Sequence, residues 1–303
     1  MADLRVNIAG VPFENPLIAA SGTFGFGHEY QEFYPLSTLG GISCKGITLK
    51  ERPGNPPPRI AEAPGGMLNA VGLQNPGVDH FIDHDLPWLK QQGTVVIANI
   101  AGNTPEDYCA MAEKLSDTDV DMIELNISCP NVKQGGVQFG TSCAGVGGIT
   151  EAVRKYCKKP LMVKLSPNVA DIGEIAAAAE AAGADAISMI NTLTGMRIDI
   201  RTRRPIIRNN TGGMSGPALL PIAVRMVWQA SQRVKIPIVG MGGISKWEDA
   251  VEMMLAGASA LQIGTVFFTD PYAPVKILDG LNRYLDERNI KSVTELTGGI
   301  QPW

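Results

Sequence analysis

A (β/α)8 TIM barrel with an N-terminal hairpin and long βα loops over its C-terminal face is the fold the sequence predicts, on three observations. Eight short apolar runs recur along the 303 residues, helical patterns lie between most of them, and the runs end in small or polar residues. Strands and helices alternating in that number close a parallel sheet on itself, and such barrels commonly run to roughly 250 residues as one domain. The whole chain, 1–303, is therefore expected to be a single domain. A doubly wound open sheet competes. It is disfavoured because Ser21-Gly22-Thr23-Phe24-Gly25-Phe26-Gly27 does not follow the G-x-G-x-x-G fingerprint expected after its first strand.

In chain order, Arg5 to Ile8 and Val11 to Phe13 read as a hairpin turning at Gly10. The barrel runs follow as Leu17 to Ala20, Gly41 to Cys44, Val95 to Ala98, Met122 to Leu125, Leu161 to Lys164, Ala186 to Met189, Pro237 to Gly240 and Ala260 to Ile263. Helical spacing marks Pro105 to Leu115, Ile172 to Ala182, Leu219 to Gln232, Lys246 to Leu255 and Pro274 to Glu287. Three connections are long: Thr48 to Pro76, Pro130 to Gly148, and Thr192 to Gly216. The first is rich in proline, and the third carries a hairpin over Met196 to Ile207. Long loops in a compact domain usually build or cover a site.

Composition narrows the function. With 45% hydrophobic residues, 18% charged and a net charge of −4, the chain has no basic surface of the kind that binds nucleic acid. Its five cysteines include no C-x-x-C pair, so neither a disulfide framework nor a self-contained zinc or iron-sulfur site is indicated, and a reducing, cytoplasmic setting is expected. No charged-then-apolar leader precedes the first strand, and the most apolar helix is too short for a bilayer, so no membrane association is expected. His80 and His84 stand four apart, but among Asp79, Asp83 and Asp85 they read as a solvated helix face before a metal pair. No metal site is expected.

In a barrel the chemistry gathers where strands meet their following loops. Those positions are Ser21, Lys45, Asn99, Asn126, Lys164 and Asn191, with Gly242-Gly243 and Gly264-Thr265 after the last two strands. Two glycine turns there favour a phosphate, though each alone can be a tight turn only. Asparagine joins a donor to an acceptor and suits the edge of a lactam ring, such as a flavin or a pyrimidine. Lys164 can face the negative charge of a reduced flavin, and Lys45 a carboxylate or the flavin; a snorkelling lysine is the plainer reading of each. No histidine or carboxylate is apparent among the strand-end residues, which argues against hydrolytic metal chemistry. Cys129, in Asn126-Ile127-Ser128-Cys129-Pro130-Asn131, follows a strand and can be a nucleophile, base or ligand, or a buried structural thiol.

Taken together, Ala20-Ser21-Gly22-Thr23-Phe24-Gly25, Cys44-Lys45-Gly46, Asn69-Ala70-Val71-Gly72-Leu73-Gln74-Asn75-Pro76-Gly77, the Asn126 to Asn131 stretch, Val163-Lys164-Leu165-Ser166-Pro167, Ile190-Asn191-Thr192, Gly213-Met214-Ser215-Gly216 and Gly240-Met241-Gly242-Gly243 resemble the dihydroorotate dehydrogenases across essentially the whole chain. The resemblance implies an FMN-binding barrel that oxidises (S)-dihydroorotate to orotate in pyrimidine biosynthesis. Cys129 would be the general base, taking the C5 proton while the C6 hydride leaves for flavin N5. FMN would contact Ser21, Lys45, Gly46, Asn99, Asn126, Lys164 and Ile190, with its phosphate at Gly216, Gly242, Gly243, Gly264 and Thr265. The substrate would be held by Lys45, by Asn69, Ala70, Val71, Gly72 and Leu73, and by Asn126, Asn191 and Thr192.

Within that family the immediate entry into the hairpin and the cysteine disfavour the membrane-associated, quinone-reducing class, which has an N-terminal extension and usually a serine base. The segment from Ser21 to Tyr30 is more similar to the NAD-linked two-subunit class, class 1B, than to the single-subunit fumarate-linked class. That class implies a partner subunit carrying FAD and a 2Fe-2S cluster, NAD as final acceptor, and a homodimer within a heterotetramer. A fumarate-linked enzyme, another FMN barrel acting on a reduced pyrimidine, and a flavin-free phosphate-binding barrel are the alternatives. The glycines at 135, 136, 140 and 145 suggest a hinged lid after Cys129.

Overall fold

The computed structural model describes residues 2–128 and 137–303. Strands β1 (Val6–Ile8) and β2 (Val11–Phe13) form the expected antiparallel hairpin, turning through Ala9 and Gly10, both at positive φ as a two-residue hairpin turn requires. The apolar runs then appear in chain order as β3 (Leu17–Ala19), β4 (Gly41–Ser43), β7 (Val95–Ile100), β8 (Met122–Asn126), β9 (Leu161–Lys164), β10 (Ala186–Met189), β15 (Ile238–Met241) and β16 (Ala260–Ile263). They pair in that order, each parallel to the next, and β16 returns to β3. The barrel is closed. Its expected boundaries hold to within one or two residues.

Several of the helices around the barrel begin at a residue that satisfies or omits a free backbone N–H. Thr104 and Asp107 form a capping box before Pro105–Ser116, and Asp171 accepts from the N–H groups of Gly173 and Glu174 to start Ile172–Ala181. Leu220–Ser231, Trp247–Leu255 and Ala273–Glu287 complete the helices that the spacing predicts. The helix whose start the Asp79 to Asp85 stretch suggests is present over residues 78–90, whereas Cys143–Arg154, not expected, forms a helix capped by Ser142 despite three internal glycines. Those glycines weaken the helical signal in sequence, while Val146, Ile149 and Val153 supply a buried face.

The two long loops after β4 and β10 meet above the barrel. β5 (Ile60–Ala63) and β6 (Gly66–Asn69) form a hairpin in the proline-rich connection, and β11 (Leu193–Gly195) and β14 (Gly212–Ser215) come from the later loop. They join in the order β11-β14-β6-β5, with Met214 opposite Leu68. No local pattern signals this sheet, since its central pairing spans residues far apart in the chain. The hairpin expected over Met196 to Ile207 is present as the short pair β12 (Ile198–Asp199) and β13 (Arg204–Pro205). No helix among the described residues is long and apolar enough to cross a membrane.

Candidate active site

One cavity of about 340 Å3 opens at the C-terminal ends of the barrel strands, within the range of roughly 300–1,000 Å3 usual for small-molecule sites. Its wall is reached from two directions. Ser21, Lys45, Gly46, Asn126, Lys164 and Ile190 line it from the barrel, and Gly216, Gly242, Gly243, Gly264 and Thr265 close one end. Asn69, Val71, Gly72 and Leu73 enter from the β6 side, and Asn191 and Thr192 from the end of β10. Ala70 is fully buried and does not line the cavity. Asn99 does not line it either; its side chain is buried beneath the lining residues. Cys129 lies outside the described residues, as do Gly135 and Gly136 of the expected lid.

Gly140 and Gly145, also named for that lid, sit in close packing. A Cβ on Gly140 would come within 2.3 Å of the Ile127 carbonyl oxygen, and one on Gly145 within 2.6 Å of that of Phe139. Close backbone approach explains both glycines without a hinge.

The glycine-rich end is shaped for an anion. Gly243 has φ +80°, and a Cβ there would stand 2.4 Å from the backbone nitrogen of Leu220, where the helix Leu220–Ser231 begins. The turn after β15 therefore lies directly against the start of a helix, whose dipole favours negative charge, while the Leu220 N–H itself already donates to the Pro217 carbonyl. Gly216, at φ +117°, would place a Cβ 2.5 Å from the Cα of Gly66. Replacing Gly243 with alanine is expected to destabilise the fold by about 2 kcal/mol or more, from left-handed strain plus the backbone clash. Gly148→Ala is the matched control: it lies in a helix, a Cβ would meet nothing within 4 Å, and a gain of about 0.5–1 kcal/mol is expected. Thermal unfolding of the two variants checks both.

Beneath the cavity lies a carboxylate that the sequence reading overlooked. Glu124 of β8 is completely buried and accepts four hydrogen bonds, two at each oxygen. Ser43 Oγ (2.6 Å) and Asn99 Nδ2 (2.5 Å) donate to Oε2, and Ser188 Oγ (2.6 Å) and Gln262 Nε2 (2.8 Å) donate to Oε1. One side chain thus ties together β4, β7, β8, β10 and β16. Burial pushes its carboxyl pKa up, but the charge of Lys164 and the bonds from Ser188, Ser43 and Asn99 outweigh that and hold it below the usual value. A signal was available. Residues two apart on a strand share a face, so Glu124, Ser43, Ser188 and Gln262 face the barrel interior two positions before Asn126, Lys45, Ile190 and Gly264.

From Glu124 a line of hydrogen bonds runs up to the cavity wall. Asn99 Oδ1 accepts from Asn126 Nδ2 (3.2 Å), and Asn126 Oδ1 accepts from Ser128 Oγ (3.2 Å). Ser128 Oγ accepts from Asn191 Nδ2 (2.7 Å), and Asn191 Oδ1 accepts from the Thr192 N–H (2.7 Å). Gln262, held to Glu124 by its nitrogen, leaves its Oε1 buried with no partner among the described residues, and the side chain lines the cavity. A buried carbonyl without a donor costs about 1–3 kcal/mol, so a ligand N–H would relieve it.

Among the described residues no group of three or more histidine, cysteine or acidic side chains stands together as a metal site. His80 Nδ1 lies 3.3 Å from Asp85, away from the cavity lining.

The family profile described as dihydroorotate dehydrogenase matches residues 3–285. The chain belongs to the dihydroorotate dehydrogenase family. It is 56% identical over 301 residues to the "dihydroorotate dehydrogenase B (NAD(+)), catalytic subunit" of Parabacteroides distasonis, covering 99% of each chain. The proteins of the same name from Alkaliphilus metalliredigens and Petrotoga mobilis are 55% and 52% identical, the former over 98% of this chain and 99% of its own, the latter over 99% and 100%. The family resemblance seen in the motifs and the barrel predicted from the strand count both hold. In this dihydroorotate dehydrogenase barrel the amides, two lysines and glycine turns that carried the resemblance converge on one cavity.

Proposed function

We propose that the chain is the FMN-dependent catalytic subunit of an NAD-linked dihydroorotate dehydrogenase, oxidising (S)-dihydroorotate to orotate in pyrimidine biosynthesis, with residues 1–303 as its single FMN-binding domain. The observation that carries this reading is the single cavity in which a phosphate-shaped glycine end, two lysines and a set of oriented amides meet. The residues fit FMN. The turn at Gly243 leaves no room for a Cβ, as a phosphate cradle requires, and the unpartnered Gln262 carbonyl matches a ring N–H.

Bound there, FMN supplies the acceptor for the hydride that leaves C6 of the substrate. The chain's own groups do the rest. Gly216, Gly242, Gly243, Gly264 and Thr265 hold the phosphate, and Ser21, Lys45, Gly46, Asn126, Lys164 and Ile190 hold the ring system, with Asn99 supporting from beneath. Lys164 places positive charge where negative charge develops on reduction. Lys45, Asn69, Val71, Gly72 and Leu73 hold the substrate and its carboxylate, with Ala70 supporting from behind the wall. Asn126, Asn191 and Thr192 fix the pyrimidine edge, and Cys129 removes the C5 proton.

The name shared by the relatives, "catalytic subunit" with "NAD(+)", supports a separate partner subunit and NAD as final acceptor. We assign FAD and a 2Fe-2S cluster to that partner, a homodimer to this chain within a heterotetramer, and the cytoplasm as its location.

An anaerobic visible spectrum of the purified chain, before and after adding dihydroorotate, tests the reading. Bleaching of a flavin band is expected. A yellow protein that stays oxidised would overturn the substrate, and a colourless one unable to take up FMN would overturn the cofactor. Rapid reoxidation of the isolated chain by fumarate would overturn the NAD-linked assignment.

A further inference from the structure

We propose that Glu124 is a positioning residue for the flavin site: a carboxylate under the cavity, ringed by four hydrogen-bond partners, that fixes which face of each amide meets cofactor and substrate, and sets the charge against which the flavin is reduced. The proposal rests on the FMN reading above. Its basis is the direction of the hydrogen bonds.

The nitrogen and oxygen of an asparagine or glutamine side chain are nearly the same shape, so packing alone does not decide which way the amide points. The ends of this chain of bonds do decide it. At one end the Thr192 backbone N–H can only donate; at the other an ionised Glu124 can only accept. Every link between them, through Asn191, Ser128, Asn126 and Asn99, runs donor to acceptor in one direction. Gln262 obeys the same rule on its own branch, giving its nitrogen to Glu124 and leaving its oxygen for a ligand. A glutamine at position 124 would turn its two N–H groups toward one serine hydroxyl, which can reverse and accept, and one amide nitrogen, which cannot, so that bond would fail or that amide would flip.

The second part follows from charge. Lys164 and Glu124 are both buried in the barrel, and the lysine charge acts on the carboxylate. Of the other titratable groups around the site, Lys45 adds positive charge at the cavity wall, and the Cys44 thiol is pushed up by burial, by Asp85 and by Glu124 itself, and stays neutral. A reduced flavin gathers negative charge, so Lys164 favours reduction and Glu124 moderates it. Removing the carboxylate leaves the lysine unopposed.

The test uses the FMN-loaded chain, titrated with redox dyes in the absence of substrate. Glu124→Gln is expected to tighten binding of reduced over oxidised FMN by roughly tenfold, which appears as a rise in flavin midpoint potential. Glu124→Asp, which keeps the charge, is expected to restore most of the wild-type potential. A Glu124→Gln protein with an unchanged potential and unchanged KM and kcat, altered only in melting temperature, would overturn the proposal and leave a structural role. Carbon NMR of the wild-type chain labelled at glutamate Cδ stands independently of how the variants fold. One carboxylate signal that titrates below the other glutamates is expected. A protonated buried glutamate at neutral pH would overturn the proposal. Failure of the function reading looks different. A wild-type flavin that dihydroorotate does not bleach would sink the substrate, and the dye titration would still report on Glu124. A chain that takes up no FMN would leave the NMR signal to decide the ionisation.

Discussion

Cys129→Ala is expected to keep FMN bound and to slow flavin reduction by dihydroorotate by about 10²- to 10⁴-fold, the usual contribution of a positioned general base. The backbone that delivers Cys129 is firmly held up to its neighbour. Ser128 is buried, its hydroxyl donates to Asn126 Oδ1, and it accepts from Asn191. Tyr108, also buried, donates to the Asn126 carbonyl at 2.9 Å from the outer helix Pro105–Ser116. Because only the thiolate accepts a proton, wild-type flavin reduction should rise with pH as the thiol ionises, and the alanine variant should lose that rise. Cys129→Ser should recover little at neutral pH, since a hydroxyl holds its proton far more tightly. Stopped-flow absorbance of flavin reduction across pH measures all three. An alanine variant reducing its flavin at the wild-type rate would remove Cys129 from the mechanism.

The barrel was legible in sequence because its signals are local. Each strand is a short run of buried residues, such as Leu161 to Lys164, ending at a small or polar residue, and several helix starts carry a cap, such as Thr104 or Asp171. The rim was legible for the same reason, since Lys45, Asn126 and Lys164 each end such a run. What stayed hidden depends on partners distant in the chain. The sheet over the mouth pairs Leu68 with Met214, and nothing near either residue announces the other. Glu124 was hidden in another way. In a fully buried strand a lone carboxylate reads as an interruption of the apolar pattern, and its four donors come from four other strands. The periodicity that placed Asn126 at the rim also put Glu124 on the same face one layer down.

Lys164→Met is the second large effect expected. Methionine keeps much of the lysine stem's packing but removes the charge, so the buried carboxylate of Glu124 loses the largest influence that favours its ionised form. Removing that charge leaves the buried carboxylate less compensated, so a loss of roughly 1–3 kcal/mol is expected at pH 7, with FMN retention falling alongside it. The pH dependence separates this cause from a packing defect. In the wild type the Glu124 pKa is held below its unfolded value, so its stabilising contribution is present above about pH 4.3 and is lost as pH falls through the folded pKa. Without Lys164, burial pulls the folded pKa upward. A group raised in that way is stabilising while protonated and loses the contribution as pH rises. The stability gap between wild type and variant should therefore be widest at neutral pH and narrow as the pH falls into the carboxylate range. Urea unfolding of the two proteins at pH 7, 5.5 and 4.5 measures the gap. A gap that stays constant across that range would assign the loss to packing and would separate Lys164 from Glu124.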